Sequence, residues 1–364
     1  MCRSSQLFPY NFHDKGDFEF TPFRTRPGLP FAALLAPFLA TAIGAAILLA
    51  AIIRLLPSDF LGAAITDRSN HTQPARQLGG LAIIPAVLLA LWIFGPAAGL
   101  DWQFLSSSSA AALILWVTGF FDDRHHLPES VRLIAQFLAA GIAVYGLGSE
   151  FRLLPDFLPF AVERLLLAFA LVYFINLTNF MDGLDLMIVS GLGIPLALAA
   201  ILAAIGLVAS GAGVLAACLA GGLFGFALFN RPKALVFLGD SGSLPIGLLS
   251  GLAFFLVARD LSIAAGLLLP LFFIGDATST LFMRLAAREN ILAAHSKHAY
   301  QIAKRSGWSV WQIVASVSAL NFILGICAFL TFDGGLVAAG AICAGLLAVT
   351  LLLSRFRSAG RRSI

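Results

Sequence analysis

Hydrophobic residues make up 59% of the 364 and charged residues 12%, with a mean hydropathy of +0.92, which excludes an ordinary soluble domain. The net charge of +4 comes with no basic patch interleaved with aromatics, so nothing points to a nucleic-acid partner. The four cysteines show no CxxC or zinc spacing, which argues against a disulfide framework and a zinc centre.

In chain order, residues 1–30 form a polar, Phe-rich N-terminal extension. Apolar runs near the ~20 residues that a membrane helix needs then recur at 31–53, 78–98, 104–121, 131–148, 165–181, 186–206, 208–229, 242–257, 262–284, 311–331 and 335–354. The first run is too long for the core of a cleaved signal peptide. None shows the alternation of a membrane barrel. The expected fold class is therefore all-α, a polytopic membrane helical bundle of about 11 transmembrane helices. The short turns near 185 and 207 widen the count to between ten and twelve. One domain spans 31–354, and 355–364 is a basic tail. Lys and Arg in short loops favour the cytoplasm. On alternate loops, sixteen fall on one face and seven on the other, which places the amino terminus outside and the tail in the cytoplasm.

Carboxylates are expensive near lipid, and those that lie at span ends form a few tight clusters. Asp122-Asp123 end the third run, Asn176 to Asp185 end the fifth, Gly239-Asp240 precede the eighth and Asp276 lies near the end of the ninth. By the predicted topology all face the cytoplasm, along with the loops holding His71 and Arg76, and His295, Lys297 and His298. Adjacent carboxylates repel unless a cation neutralises them, and their oxygens suit Mg²⁺ shared with a phosphate substrate. Asn176, Asn179 and Asp182 are spaced three apart, a polar stripe on an apolar helix. The turn Gly239-Asp240-Ser241-Gly242-Ser243 opens a helix whose free N–H groups favour an anion. His295, Lys297 and His298 suit phosphate charge better than zinc.

Each cluster alone has a plain alternative. Asp122-Asp123 could be a solvated helix end, Asn176 and Asn179 interhelical glue, the Gly239 turn an ordinary cap, the histidines loop residues. Their co-occurrence on one face favours a site. A rival reading is an ion-coupled transporter, but its acids would lie near the midplane between inverted repeats, and no repeat is evident.

At these residues the chain resembles the polyprenyl-phosphate N-acetylhexosamine-1-phosphate transferases, glycosyltransferase family 4. The similar stretches are Asp67 to Gly80, Phe120-Phe121-Asp122-Asp123-Arg124, Asn176-x-x-Asn179-x-x-Asp182-Gly183-x-Asp185, Phe237 to Ser243, and the loop from His295 to Gln301. That last loop is similar to those of members that start O-antigen or capsule chains. Two positions depart from the family pattern: His126 stands where a third acid is usual, and Leu186 where glycine is usual.

The resemblance implies transfer of a sugar 1-phosphate from a UDP-sugar to undecaprenyl phosphate, with release of UMP, at the cytoplasmic face of the bacterial inner membrane. It implies Mg²⁺, with Mn²⁺ as a substitute. Asp240 is expected as principal metal ligand, with Asn179 and one of Asp122 and Asp123 completing the shell. The other aspartate of the pair would orient or deprotonate the lipid phosphate. Asn176, Asp182 and Asp185 would contact the diphosphate and uridine side, Asp182 with a catalytic part. His71, Arg76, His295, Lys297 and His298 would balance the phosphates. Direct attack by the lipid phosphate and prior attack by an aspartate are both compatible with these residues.

Overall fold

The computed structural model describes residues 30–62, 75–289 and 296–361. The expected extension up to residue 29, His71 and His295 lie outside the described residues. Among the described residues the helices are, in order, α1 (Phe31–Leu55), α2 (Gly79–Phe94), α3 (Trp102–His125), α4 (Glu129–Gly146), α5 (Phe160–Met181), α6 (Ile194–Ala204), α7 (Ser210–Asn230), α8 (Asp240–Asp260), α9 (Ile263–Leu268), α10 (Leu271–Ala286), α11 (Ala299–Arg305), α12 (Val310–Leu330) and α13 (Gly335–Arg361). The strands β1 (Arg76–Gln77) and β2 (Val236–Phe237) pair in parallel, Arg76 opposite Val236 and Gln77 opposite Phe237.

The architecture is the all-α polytopic bundle that the composition demands, but the expected count of about eleven spans is wrong. Among the described residues, seven helices are long and apolar enough to cross a membrane: α1, α3, α5, α7, α8, α12 and α13. The other four apolar runs fail for physical reasons. The run at 78–98 is helical only over the 16 residues of α2, about 24 Å at 1.5 Å per residue, short of the ~30 Å hydrocarbon core. In the run at 186–206 a π-helical turn at Val189–Gly193 leads directly into α6, and the apolar helix Val189–Ala204 is again too short. The run at 262–284 breaks between α9 and α10, at Leu269 and Pro270. In α4 the polar side chains of Glu129, Arg132 and Gln136 dilute an otherwise apolar sequence. Nevertheless α4 lies antiparallel to α3 along its length. Gln103 Nε2, at the start of α3, donates to the Tyr145 carbonyl at 2.9 Å near the end of α4, while Arg132 and Asp122 meet at the opposite ends.

Helix α8 is the most enclosed of the seven, with 89% of its apolar window buried. Its first residue, Asp240, is thus presented from the centre of the bundle. Two glycines let neighbouring backbones reach that point. A Cβ on Gly119 of α3 would overlap the Asp240 carbonyl, and one on Gly80 of α2 would overlap the backbone of Ser241 and Gly242. Such close approach is the use to which small residues are put in membrane bundles. The Gly80 amide also donates to the Leu238 carbonyl at 2.9 Å, continuing the β1–β2 pairing to the edge of the site.

Candidate active site

The chain enters α8 through Gly239, whose φ of 74° is open to glycine at little cost. Contrary to the expectation from the sequence, the first two amides of α8 are not free for an outside anion. Asp123 Oδ1 accepts from the Asp240 amide at 2.8 Å, and Asp123 Oδ2 from the Ser241 amide at 3.0 Å. A protein carboxylate from α3 therefore satisfies the helix start and its dipole.

Asp122 plays a different part. Its Oδ1 accepts from the Leu127 amide at 2.7 Å, fixing the turn after α3, and its Oδ2 lies 3.2 Å from Arg132 Nη1. The same Nη1 lies 3.5 Å from Asp240 Oδ2. One guanidinium thus joins the two carboxylates that would otherwise repel. Asp240 Oδ1 accepts from Asn179 Nδ2 at 2.7 Å, and that amide also donates to Ser243 Oγ at 2.9 Å. Gln77, Asp122, Asp123, His126, Leu127, Arg132 and Asp240 line an open cleft of about 280 Å³.

Asp182 follows α5 and is half-buried. Its carboxyl is held well above the usual carboxylate range, first by desolvation and then by the negative charges of Asp240, Asp123 and Asp185. Asn176 lies nearly two turns earlier. It exchanges hydrogen bonds with Gln136, donating at 2.5 Å and accepting at 3.2 Å, and donates to the Val172 carbonyl at 2.8 Å. Asp185 is buried and accepts from the Ala234 amide at 3.4 Å, tying the turn after α5 to the segment before β2.

Leu186 has a φ of 61°. This is the left-handed region in which a residue with a Cβ costs roughly 1–2 kcal/mol, which accounts for the aptness of glycine there. Asn230, at the end of α7, holds the turn in place. Its Oδ1 accepts from the Leu186 amide at 2.8 Å and its Nδ2 donates to the Val236 carbonyl at 2.9 Å. Asn230→Ala would leave both buried groups unpaired, at about 1–3 kcal/mol apiece. The expected result is a lower melting temperature in detergent; a melting temperature equal to wild type would remove that role.

The remaining expected site residues stand further out. Arg76 donates from Nη1 to the Leu56 and Pro57 carbonyls at 3.1 and 3.0 Å, and from Nη2 to the Ile53 carbonyl at 2.8 Å. Its guanidinium thereby closes the carboxyl end of α1. Lys297 pairs with Glu289. The Glu289 carboxyl is held below its usual range by Lys297 first and by Arg284 second. His298 is buried between Phe180 and Tyr300, at ring separations of 6.5 and 5.9 Å.

The structure thus gathers Asp122, Asp123, Asn179, Asp182 and Asp240 around the start of α8. It puts Asn176, Asp185, Arg76, Lys297 and His298 on the supports around them. Arg132 and Gln136 are not among the site residues expected from the sequence. Their four-residue spacing, which puts them on one face of a helix, was the available signal. Among the described residues, no three of His, Cys, Asp and Glu are grouped so as to hold a metal ion by themselves.

Residues 105–258 match the profile described as Glycosyl transferase family 4. The chain is 32% identical to the decaprenyl-phosphate N-acetylglucosaminephosphotransferase of Mycolicibacterium smegmatis over 51% of each chain. It is 29% identical to the phospho-N-acetylmuramoyl-pentapeptide-transferase of Lacticaseibacillus paracasei, over 65% of this chain and 77% of that one. With the probable undecaprenyl-phosphate N-acetylglucosaminyl 1-phosphate transferase of Bacillus subtilis it shares 25% identity, over 72% of this chain and 75% of that one. The chain spans about half the length of the mycobacterial relatives it matches. Over the matched residues, which hold both aspartates of α3, the turn after α5 and the start of α8, the chain is similar to glycosyl transferase family 4.

Proposed function

We propose that the protein transfers an N-acetylhexosamine 1-phosphate from a UDP-sugar to undecaprenyl phosphate, releasing UMP and starting a lipid-linked cell-envelope glycan such as O-antigen or capsule. The observation that carries this reading is the convergence of Asp122 and Asp240 on one cation, Arg132, in a cleft at the end of a membrane bundle. A lipid-borne phosphate and a water-soluble nucleotide can meet only at such an edge. The relatives' names supply the acceptor and donor classes, polyprenyl phosphate and an N-acetylated sugar phosphate. The excess of basic residues in the loops at this end supports a cytoplasmic orientation in the bacterial inner membrane.

In this reading an oxygen of the acceptor phosphate attacks the sugar-bearing phosphorus of the donor. The bond from that phosphorus to the bridging oxygen breaks, and UMP leaves with the electron pair. Such chemistry asks the protein mainly for position and charge. Asp122 orients the acceptor phosphate or takes its proton. Arg132 balances charge across the cleft. Asp123 holds the first turn of α8, and Asn179 holds the Asp240 carboxylate.

The donor set fits a hard divalent cation. Two carboxylate oxygens already share one positive group, and Mg²⁺ needs only one or two carboxylates when waters and substrate phosphates complete its shell. A cation there would also favour the ionised form of Asp182. Mg²⁺, or Mn²⁺ in its place, would be held by Asp240 with Asn179, and would neutralise the diphosphate and the departing UMP. The purified protein, given UDP-N-acetylglucosamine and undecaprenyl phosphate, should release UMP. Chelation should abolish release and added Mg²⁺ restore it. Unchanged release after thorough chelation would contradict the metal's part, and ion-driven uptake without UMP would contradict the transfer.

A further inference from the structure

Asp276 is fully buried within α10 and stands apart from the cleft. Its Oδ1 accepts from the Ala299 amide at 2.8 Å and its Oδ2 from the Tyr300 amide at 3.3 Å, while Thr280 Oγ1 donates to Oδ1 at 3.2 Å. Arg357 Nη2, reaching in from α13, and His298 Nδ1 each lie 3.8 Å from Oδ1. A buried carboxylate is tolerated only with such partners. Here three of the groups around it come from elements distant in sequence: the two amides of α11 and the guanidinium of α13.

The tethered segment leads back to the acid cluster. Tyr300 is fully buried, and its hydroxyl donates to the Phe180 carbonyl at 3.3 Å, in the last turn of α5. It also fills the space where a Cβ of Gly183 would stand. Between Phe180 and Gly183 lies Asp182. The chain of contacts thus runs from Asp276 through the Tyr300 amide and ring to the turn that carries Asp182.

We propose that Asp276 is a positioning residue that, by holding the Ala299 and Tyr300 amides, seats Tyr300 against the turn after α5 and fixes Asp182 in the acid cluster. The catalytic consequence rests on the transfer reading above; the mechanical coupling does not.

Hydrogen exchange on the full-length protein in lipid nanodiscs tests the coupling without any assay of activity. Asp276→Asn keeps one acceptor oxygen but turns an amide nitrogen toward the second backbone N–H, so one tether is lost with little change in shape. Faster exchange is expected in residues 299–305 and also in 182–186, with α7 and α8 unchanged. Faster exchange in 299–305 alone, or in neither, would overturn the proposal. Should the variant exchange fast everywhere, Tyr300→Phe decides, since it removes only the hydroxyl. Faster exchange confined to 182–186 supports the coupling, and no change there overturns it. In transfer assays Asp276→Asn should lower kcat about 10- to 100-fold, the scale of a misplaced group, and Tyr300→Phe should add little in that background. Full additivity of the two would contradict action through Tyr300. A wild-type protein without transferase activity would defeat the transfer reading while the exchange result still decided the coupling.

Discussion

Asp240→Asn should lower transfer of labelled sugar phosphate by about 10³-fold or more while leaving the protein folded, because it removes charge where the reaction concentrates it. Asparagine preserves the shape of the side chain and can keep an oxygen toward Asn179, whose amide donates to Asp240 at 2.7 Å. The backbone amide of residue 240 still donates to Asp123, so the first turn of α8 keeps its cap. What is lost is the anionic oxygen that faces Arg132 and the cleft. Turnover near wild type would remove Asp240 from the chemistry and from the metal site.

Arg132→Ala has the second largest expected effect. The guanidinium is 3.2 Å from Asp122 and 3.5 Å from Asp240. Without it the two carboxylates face each other with no fixed positive charge between them, and the cleft becomes more repellent to a diphosphate. Transfer should fall about 10²-fold, the usual scale for deleting one preorganised electrostatic partner. Arg132→Lys should recover part of the loss, since it restores the charge without the planar fork that reaches two acceptors at once. Activity in Arg132→Ala equal to wild type would reduce the ion pair to a structural bridge. The comparison of Ala and Lys is best made on kcat and donor KM separately, because in the proposed reaction charge in the cleft would act on both donor binding and the departing UMP.

Much of this arrangement is legible in the sequence, and the illegible part has definite causes. Composition alone requires a helical membrane bundle. Counting its spans from apolar runs fails because a run reports where lipid or protein interior can lie, not where a helix remains unbroken. The helix Val189–Ala204 stops short of a full span, and α9 and α10 are separated, while the sequence stays apolar throughout. Likewise, α4 carries Arg132 and Gln136 toward protein partners, Asp122 and Asn176, and packs along α3 with a composition too polar to qualify.

The acid clusters are visible as clusters, but their division of labour is not. Asp122 and Asp123 are indistinguishable in a sequence, since the amides that separate them belong to Asp240 and Ser241, more than a hundred residues away. The same contact explains the error about the start of α8. A glycine-rich turn before a helix advertises free amides, and only the folded chain reveals that a neighbouring helix has supplied the anion. Leu186 is the converse case. The departure from glycine is plain in the sequence, while the means of tolerating it, the Asn230 side chain, lies 44 residues further on.

In the proposed reaction this cleft joins a lipid phosphate to a nucleotide-borne sugar phosphate. The most direct measurement is the mass of the lipid formed when the purified protein, Mg²⁺ and undecaprenyl phosphate are incubated with a panel of UDP-N-acetylhexosamines. The expected product is heavier than the acceptor by one N-acetylhexosamine phosphate, formed in step with UMP and absent with Asp240→Asn. Unmodified undecaprenyl phosphate with every donor in the panel, from protein that is folded and supplied with Mg²⁺, would contradict the proposed reaction.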